Sequence, residues 1–253
     1  MSELNNLSIL ITGGGSGIGS GTAQYFVERG AMVTICGRRS DRVDAVATTL
    51  GSACKAVTGD VTQAEDRAAI VSAAIEHGGK IDALINNAGN MYRGPVEDLD
   101  EQELLNIFHT NVIAGMLLSG LCREHLAKTE GAIVFLGSIH NRRAFPGVSP
   151  YAATKGAIEA LTKSLAAELG EQKIRVNCVA PGAVFTEINQ RAGLFTDEEA
   201  LQRLNGMTHL HPLGRIGEVH EIAEAIAYFV TAPWTTGTIL EVDGGLALGL
   251  TNG

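Results

Sequence analysis

The sequence predicts a doubly wound α/β fold, a parallel sheet with helices on both faces, built as a single domain. Three observations carry this. Short apolar runs alternate with amphipathic stretches along the 253 residues. Several of those runs are continuous Val/Ile/Leu segments rather than alternating ones, the pattern of strands buried on both faces. Repeated βα units then call for right-handed crossovers and one sheet covered on both sides.

The elements follow in order. Leu7–Thr12 is predicted as the first strand, and Gly17–Arg29 as the first helix, with Ala23, Phe26 and Val27 on one stripe. Met32–Cys36 is a strand, Ser40–Leu50 a helix, Cys54–Thr58 a strand, Gln63–His77 a helix and Ala83–Asn86 a strand. Glu101–Lys128 is one long helical pattern, followed by a strand over Ala132–Leu136. Pro150–Leu169, Arg175–Ala180, Val219–Thr231 and Thr238–Val242 continue as helix, strand, helix and strand. Residues 185–215 break the rhythm with a polar, poorly periodic insertion. Leaving a strand's carboxyl end, where open sheets bind ligands, it is expected to form a substrate lid. Trp234 reads as a turn residue with a packed ring.

Composition narrows the function. A hydrophobic share of 45% supports a full core, and 31 glycines without a repeat exclude a collagen-like chain. The net charge of −9 gives no global attraction for nucleic acid or an anionic membrane. The N-terminus lacks a basic segment, and no uninterrupted apolar stretch approaches the ~18–20 residues of a membrane span. Cys36, Cys54, Cys122 and Cys178 are widely spaced without histidine companions, so a reduced cytoplasmic setting and no metal are expected. The spacing of His209 and His211 adds no metal pair, and His109 is expected as an ordinary helix residue.

The chemistry concentrates at strand ends. Leu7–Thr12 runs into Gly13-Gly-Gly-Ser16-Gly17-Ile18-Gly19, a strand, glycine turn and helix start. Such a turn allows close backbone approach, and a helix N-terminus favours a pyrophosphate; a plain tight turn is the alternative. The second strand ends at Gly37-Arg38-Arg39 with no acid. An arginine there matches a 2′-phosphate and favours NADP(H) over NAD(H); a solvated pair is the alternative. Ser138 follows the fifth strand, and Tyr151 and Lys155 share one helix face at i and i+4. A lysine ammonium beside a phenol is expected to lower its pKa, which suits proton exchange with an alcohol oxygen. Met91, Tyr92 and Arg93 are expected either to line the same cleft or, equally, to be ordinary loop residues, and the loop of His140 is expected to border the pocket. Arg142 and Arg143 are expected in salt bridges or, alternatively, at substrate.

Taken together these motifs resemble the short-chain dehydrogenase/reductase family, over almost the whole chain. Thr12–Gly19 is similar to its cofactor turn, Asp60-Val61 to its adenine-contacting pair, and Asn86-Asn87-Ala88-Gly89 to its fourth-strand element. Pro181-Gly182 and Thr186 are similar to its nicotinamide-side loop. The resemblance implies a Rossmann fold, and it implies Tyr151 as general acid/base with Lys155 lowering its pKa and binding nicotinamide ribose. It also implies Ser138 on the substrate oxygen and Asn111 anchoring a water relay. The expected activity is an NAD(P)-dependent interconversion of a secondary alcohol and a ketone. A non-catalytic dinucleotide sensor and a lyase or epimerase are the alternatives. The family commonly assembles as tetramers through two helices, and Leu117, Leu118, Leu121, Leu161 and Leu165 are the expected surface for a homotetramer.

Overall fold

The computed structural model of the chain describes residues 4–186 and 196–249. Among them, seven strands form one sheet in the order β3-β2-β1-β4-β5-β6-β7, and all neighbouring pairs are parallel. The strands are β1 (Ser8–Thr12), β2 (Met32–Gly37), β3 (Cys54–Thr58), β4 (Ala83–Asn86), β5 (Ala132–Leu136), β6 (Arg175–Pro181) and β7 (Ile239–Val242). The helices are α1 (Gly17–Val27), α2 (Ser40–Leu50), α3 (Ala64–Gly78), α4 (Glu101–Phe108), α5 (Ala114–Thr129) and α6 (Ser149–Leu169). Two more follow, α7 (Asp197–Asn205) and α8 (Val219–Thr231).

Side chains along a strand point alternately to opposite faces, and both faces here are covered. Ile9 and Ile11 pack with Phe26 of α1 and Phe229 of α8. Leu10 packs on the other side with Ile70 of α3 and Leu118 of α5. Two cores result, one on each face, and this is why β1 and β5 are buried at every position. The order reverses between β1 and β4: β1 pairs with β2 on one side and β4 on the other. Loops leaving those two strand ends diverge and open a crevice.

Three expectations are corrected. The long helical pattern from Glu101 is interrupted by a π-helical turn, His109–Ile113, between α4 and α5. One extra residue in that turn rotates Asn111 inward, a displacement that a regular period does not show. Trp234 is 98% exposed, not packed. The chain on its C-terminal side is tied to β6, by Thr235 O to the Asn177 amide and by Thr236 Oγ1 to the Val176 N–H, and the ring is left outside. Leu118 is fully buried in the core and unavailable to a partner, whereas Leu117 and Leu121 are each 46% exposed and Leu161 and Leu165 half-buried.

The helical run Glu101–Thr129 is long and apolar enough to cross a membrane by length and composition alone, with mean hydropathy 1.5 in one window. In the fold it covers the sheet, with Leu118, Cys122 and Leu126 wholly buried. The expected lid falls partly outside the described residues, at 187–195. Within the described part lies α7, opened by a capping box between Thr196 and Glu199.

One close approach of backbone to backbone depends on glycine. A Cβ on Gly19 would meet the Gly13 carbonyl and lie 2.5 Å from Asn87 Nδ2. Gly19→Ala is therefore expected to cost ~1–3 kcal/mol of overpacking, read as a lower urea midpoint with an unchanged slope.

Candidate active site

Every expected site residue sits at the carboxyl edge of the sheet or on the helix just beyond it. Gly13 has a φ of 67° and Gly17 one of 55°, so the turn after β1 uses glycine's left-handed freedom twice. Ser16 is the N-cap of α1, yet its side chain caps nothing. Its Oγ instead accepts from Arg39 Nη2 at 3.2 Å. The first turn of α1 thus keeps backbone N–H groups without a side-chain cap, the arrangement that suits an anion.

The turn is fastened to β4. Thr12 Oγ1 accepts the backbone N–H groups of Asn87 (3.1 Å) and Ala88 (2.9 Å). Asn87 Nδ2 donates back to the carbonyls of Thr12 (2.8 Å) and Gly13 (3.1 Å). A cavity of about 320 Å³ lies along this junction. It is lined by Gly13, Ser16, Gly17, Ile18, Asn87, Ala88, Gly89 and Thr186, with Arg38, Arg39, Asp60 and Val61 at its far end. Arg38 Nη1 lies 3.9 Å from Asp60 Oδ2, and Asp60 Oδ1 is held by Thr62 N and Oγ1.

A second cavity of about 180 Å³ shares Ile18, Asn87, Gly89 and Thr186 with the first. Ser138, Tyr151, Lys155, Pro181 and Gly182 line it. Lys155 Nζ donates to Leu136 O at 2.7 Å and stands 5.3 Å from the Tyr151 ring centre. Burial pushes the Tyr151 phenol up to about 12, against a smaller lowering by its hydrogen bond with Ser138. Burial also pushes Lys155 down to about 8. The expected depression of the phenol by lysine is thus reversed, because desolvation disfavours both charged forms.

Asn111 and Gly19 line neither cavity. Asn111 Oδ1 accepts from Asn90 N (2.8 Å), and its Nδ2 donates to Asn90 O (3.0 Å) and Thr154 Oγ1 (3.1 Å). It ties the β4 loop to α6 behind the site. Arg142 bridges Glu159 at 2.7 Å and Glu241 at 3.2 Å, and Arg143 donates to Leu246 O at 2.9 Å. The salt-bridge alternative therefore holds for Arg142.

Sequence reasoning missed several lining residues. Arg42 of the first cavity had a signal, standing one turn after Arg39 at the start of α2. Leu204, Met207 and Leu246 reach the second cavity from distant segments and carry no local signal. No group of three or more His, Cys, Asp or Glu that could hold a metal occurs among the described residues.

His140 has the clearest pH consequence. Its Nδ1 lies 2.9 Å from Ser138 Oγ, and burial with the charges of Arg93 and Lys155 pushes its pKa down to about 4. The unfolded ring binds its proton near 6.5, so the unfolded state holds more protons between pH 6.5 and 4, and stability falls as pH drops through that window. Relative to His140→Asn, the wild type is expected to lose ~2 kcal/mol between pH 7 and pH 5, checked by urea unfolding at both pH values.

Comparison with known proteins follows this geometry. The family model described as Enoyl-(Acyl carrier protein) reductase matches residues 13–247. L-fucose dehydrogenase of Bos taurus is 35% identical over 245 residues, 95% of this chain and 89% of that protein. A Caenorhabditis elegans short-chain dehydrogenase/reductase of unknown function, solved with cofactor, superposes with a TM-score of 0.92 at 29% identity. It covers 98% of this chain and 97% of its own. The 3-ketoacyl-(acyl-carrier-protein) reductase of Brucella melitensis, complexed with NADH, gives 0.88 at 32% identity over 96% of this chain and 99% of its own. With a Rossmann-type sheet, a glycine turn fastened to β4 and a Ser/Tyr/Lys cluster at the strand ends, the chain belongs to the short-chain dehydrogenase/reductase family of oxidoreductases.

Proposed function

We propose that this chain is an NADP(H)-dependent oxidoreductase interconverting a secondary alcohol and a ketone. The observation that carries the reading is the meeting of Ser138, Tyr151 and Lys155 in a cavity whose wall continues into the glycine-turn cavity. The residues fit a dinucleotide. A Cβ on Gly13 would lie 2.9 Å from Ala88 Cα, and one on Gly17 3.1 Å from Thr186 Cβ, so the cradle exists only with glycine. Gly13 and Ser16 to Ile18 would hold the pyrophosphate, with Gly19 letting α1 pack close behind the turn, Asp60 and Val61 the adenine, and Arg38 and Arg39 the 2′-phosphate. Asn87, Ala88, Gly89, Pro181, Gly182 and Thr186 would border the nicotinamide half, and Lys155 its ribose. When bound, the cofactor supplies or accepts the hydride.

The protein's own residues handle the proton. Burial keeps the Tyr151 phenol protonated, the form that donates to a carbonyl oxygen during reduction. Ser138 is within hydrogen-bonding reach of that phenol and would hold the same substrate oxygen. In oxidation the phenol must give up its proton first; the Ser138 bond lowers its pKa and so favours that form. Asn111 would anchor a water that passes the proton toward solvent. Residues 1–253 act as one unit in this reading, with 185–215 covering the substrate. The four cysteines, all buried and unpaired, fit a cytoplasmic setting.

Three measurements test the reading. Tyr151→Phe removes only the hydroxyl, and turnover is expected to fall by ~10²–10⁴ while cofactor binding persists. Near-normal turnover would reject Tyr151 as the acid/base. For cofactor choice, Arg38→Asp is expected to weaken NADP about ten- to a hundredfold, the scale of one charge-assisted contact. The check is the ratio of kcat/KM for NADP over NAD in wild type and variant; a wild-type preference for NAD overturns this choice and leaves the oxidoreductase reading standing. For assembly, the exposed Leu117 and Leu121 with neighbouring Ile113 and Met116 form an apolar stripe suited to a symmetric copy. Light scattering is expected to give four times 26.5 kDa; the monomer mass at micromolar concentration refutes the homotetramer.

A further inference from the structure

Ser138 is held by the residue two places further along the chain. It stands as the N-cap of a short 3₁₀ turn, Ile139–Asn141. Its Oγ accepts the His140 backbone N–H at 3.3 Å, and the same oxygen lies 2.9 Å from His140 Nδ1. One residue thus grips the hydroxyl twice, with its backbone and with its ring.

The ring is itself fixed. It meets Tyr151 edge-on, with centroids 5.4 Å apart and planes at 86°, and lies against Phe145 at 5.0 Å. Tyr151 belongs to α6 and Phe145 to the loop that precedes it, so two neighbouring segments set the plane of the imidazole. All four residues, Ser138, His140, Phe145 and Tyr151, line the second cavity. Burial, which pushes the His140 pKa down to about 4, keeps the ring neutral at pH 7. A neutral imidazole has one nitrogen that donates and one that accepts.

The grip limits what the hydroxyl can offer to a third group. A hydroxyl has one proton and two acceptor positions. The His140 backbone N–H fills one acceptor position. The contact with Nδ1 takes either the proton or the other acceptor position, according to the tautomer of the ring. With Nδ1 bare, Ser138 donates to the ring and keeps an acceptor position, which an alcohol O–H needs. With Nδ1 protonated, Ser138 accepts from the ring and keeps its proton, which a ketone oxygen needs.

From this geometry we infer that His140 is a positioning residue for the reaction: it holds the Ser138 hydroxyl so that one hydrogen-bonding position is left for the substrate oxygen, the proton for a ketone or an acceptor position for an alcohol. The inference rests on the oxidoreductase reading and adds a residue to it. His140 acts through Ser138 and does not itself meet the reacting atoms. An apolar ring in its place keeps the packing on Tyr151 and Phe145 but lets the hydroxyl turn away from the substrate. An asparagine, whose amide also offers a donor and an acceptor, keeps the grip.

The test is a double-mutant cycle of Ser138→Ala and His140→Phe in the cofactor-saturated enzyme, with the fastest substrate among 2-octanone, cyclohexanone, ethyl acetoacetate and their alcohols. In the wild-type background His140→Phe is expected to lower kcat/KM about tenfold, chiefly through kcat, the scale of one hydrogen bond to an oxygen that gains charge in the transition state. In the Ser138→Ala background the same substitution is expected to cost less than about twofold, and His140→Asn alone is expected to stay within about threefold of wild type. Equal losses in both backgrounds, or no loss in either, overturn the inference. Heteronuclear NMR of protein labelled at histidine nitrogen reads the contact apart from turnover. The His140 Nδ1 resonance, assigned by its absence from His140→Phe, is expected to move in Ser138→Ala; an unmoved resonance overturns the contact. If Ser138→Ala and Tyr151→Phe both turn over like the wild type, the oxidoreductase reading of the site fails and the inference falls with it. If those two are impaired and His140→Phe is not, the reading stands and the inference fails alone.

Discussion

The site depends on one junction, the fastening of the turn after β1 to the loop after β4. One threonine hydroxyl takes two backbone N–H groups, and one asparagine amide returns two bonds to the turn. A hydrogen bond of this kind contributes ~1 kcal/mol net, but a buried donor left without its acceptor costs ~1–3 kcal/mol. The asymmetry makes the junction nearly all-or-none. It holds the glycine turn open on one side and carries Gly89, Met91 and Arg93 toward the second cavity on the other. The two cavities share walls because their loops are joined at this point.

The same economy of backbone bonding recurs behind the site. The π-helical turn places Asn111 against Asn90 and Thr154, so the β4 loop is tied to the helix that carries Tyr151 and Lys155. Three chain segments far apart in sequence are thereby held in one geometry. A helix with a regular period would carry this asparagine at another angle. The extra residue of the π-turn is a local departure that serves a distant alignment.

Electrostatics at the reacting end is governed by burial more than by pairing. Both the phenol and the lysine are enclosed, and enclosure favours the neutral form of each. Spacing alone suggests a lysine pulling a phenol toward ionisation. The fold instead turns the ammonium toward the Leu136 carbonyl and leaves Ser138 as the group that lowers the phenol. The imidazole of His140 is subject to the same desolvation and to two neighbouring cations, and it stays neutral at pH 7.

The doubly wound fold, the strand positions, the glycine turn, the Arg38-Arg39 end of β2 and the Ser138/Tyr151/Lys155 set were legible from sequence. Each is written in local chemistry: continuous apolar runs, glycines without a Cβ, and an i, i+4 pair on one helix face. The exposure of Trp234, the burial of Leu118 and the break in the helix at His109 were not, because each depends on what packs against the residue rather than on its neighbours in the chain. Leu204, Met207 and Leu246 joined the second cavity only in three dimensions. By itself the sequence determined which elements form and which chemistry their strand ends carry. Only the tertiary structure decided the burial of Tyr151 and Lys155, the placing of His140 against Ser138, and the meeting of the two cavities, since desolvation and long-range contacts exist only once the chain is folded.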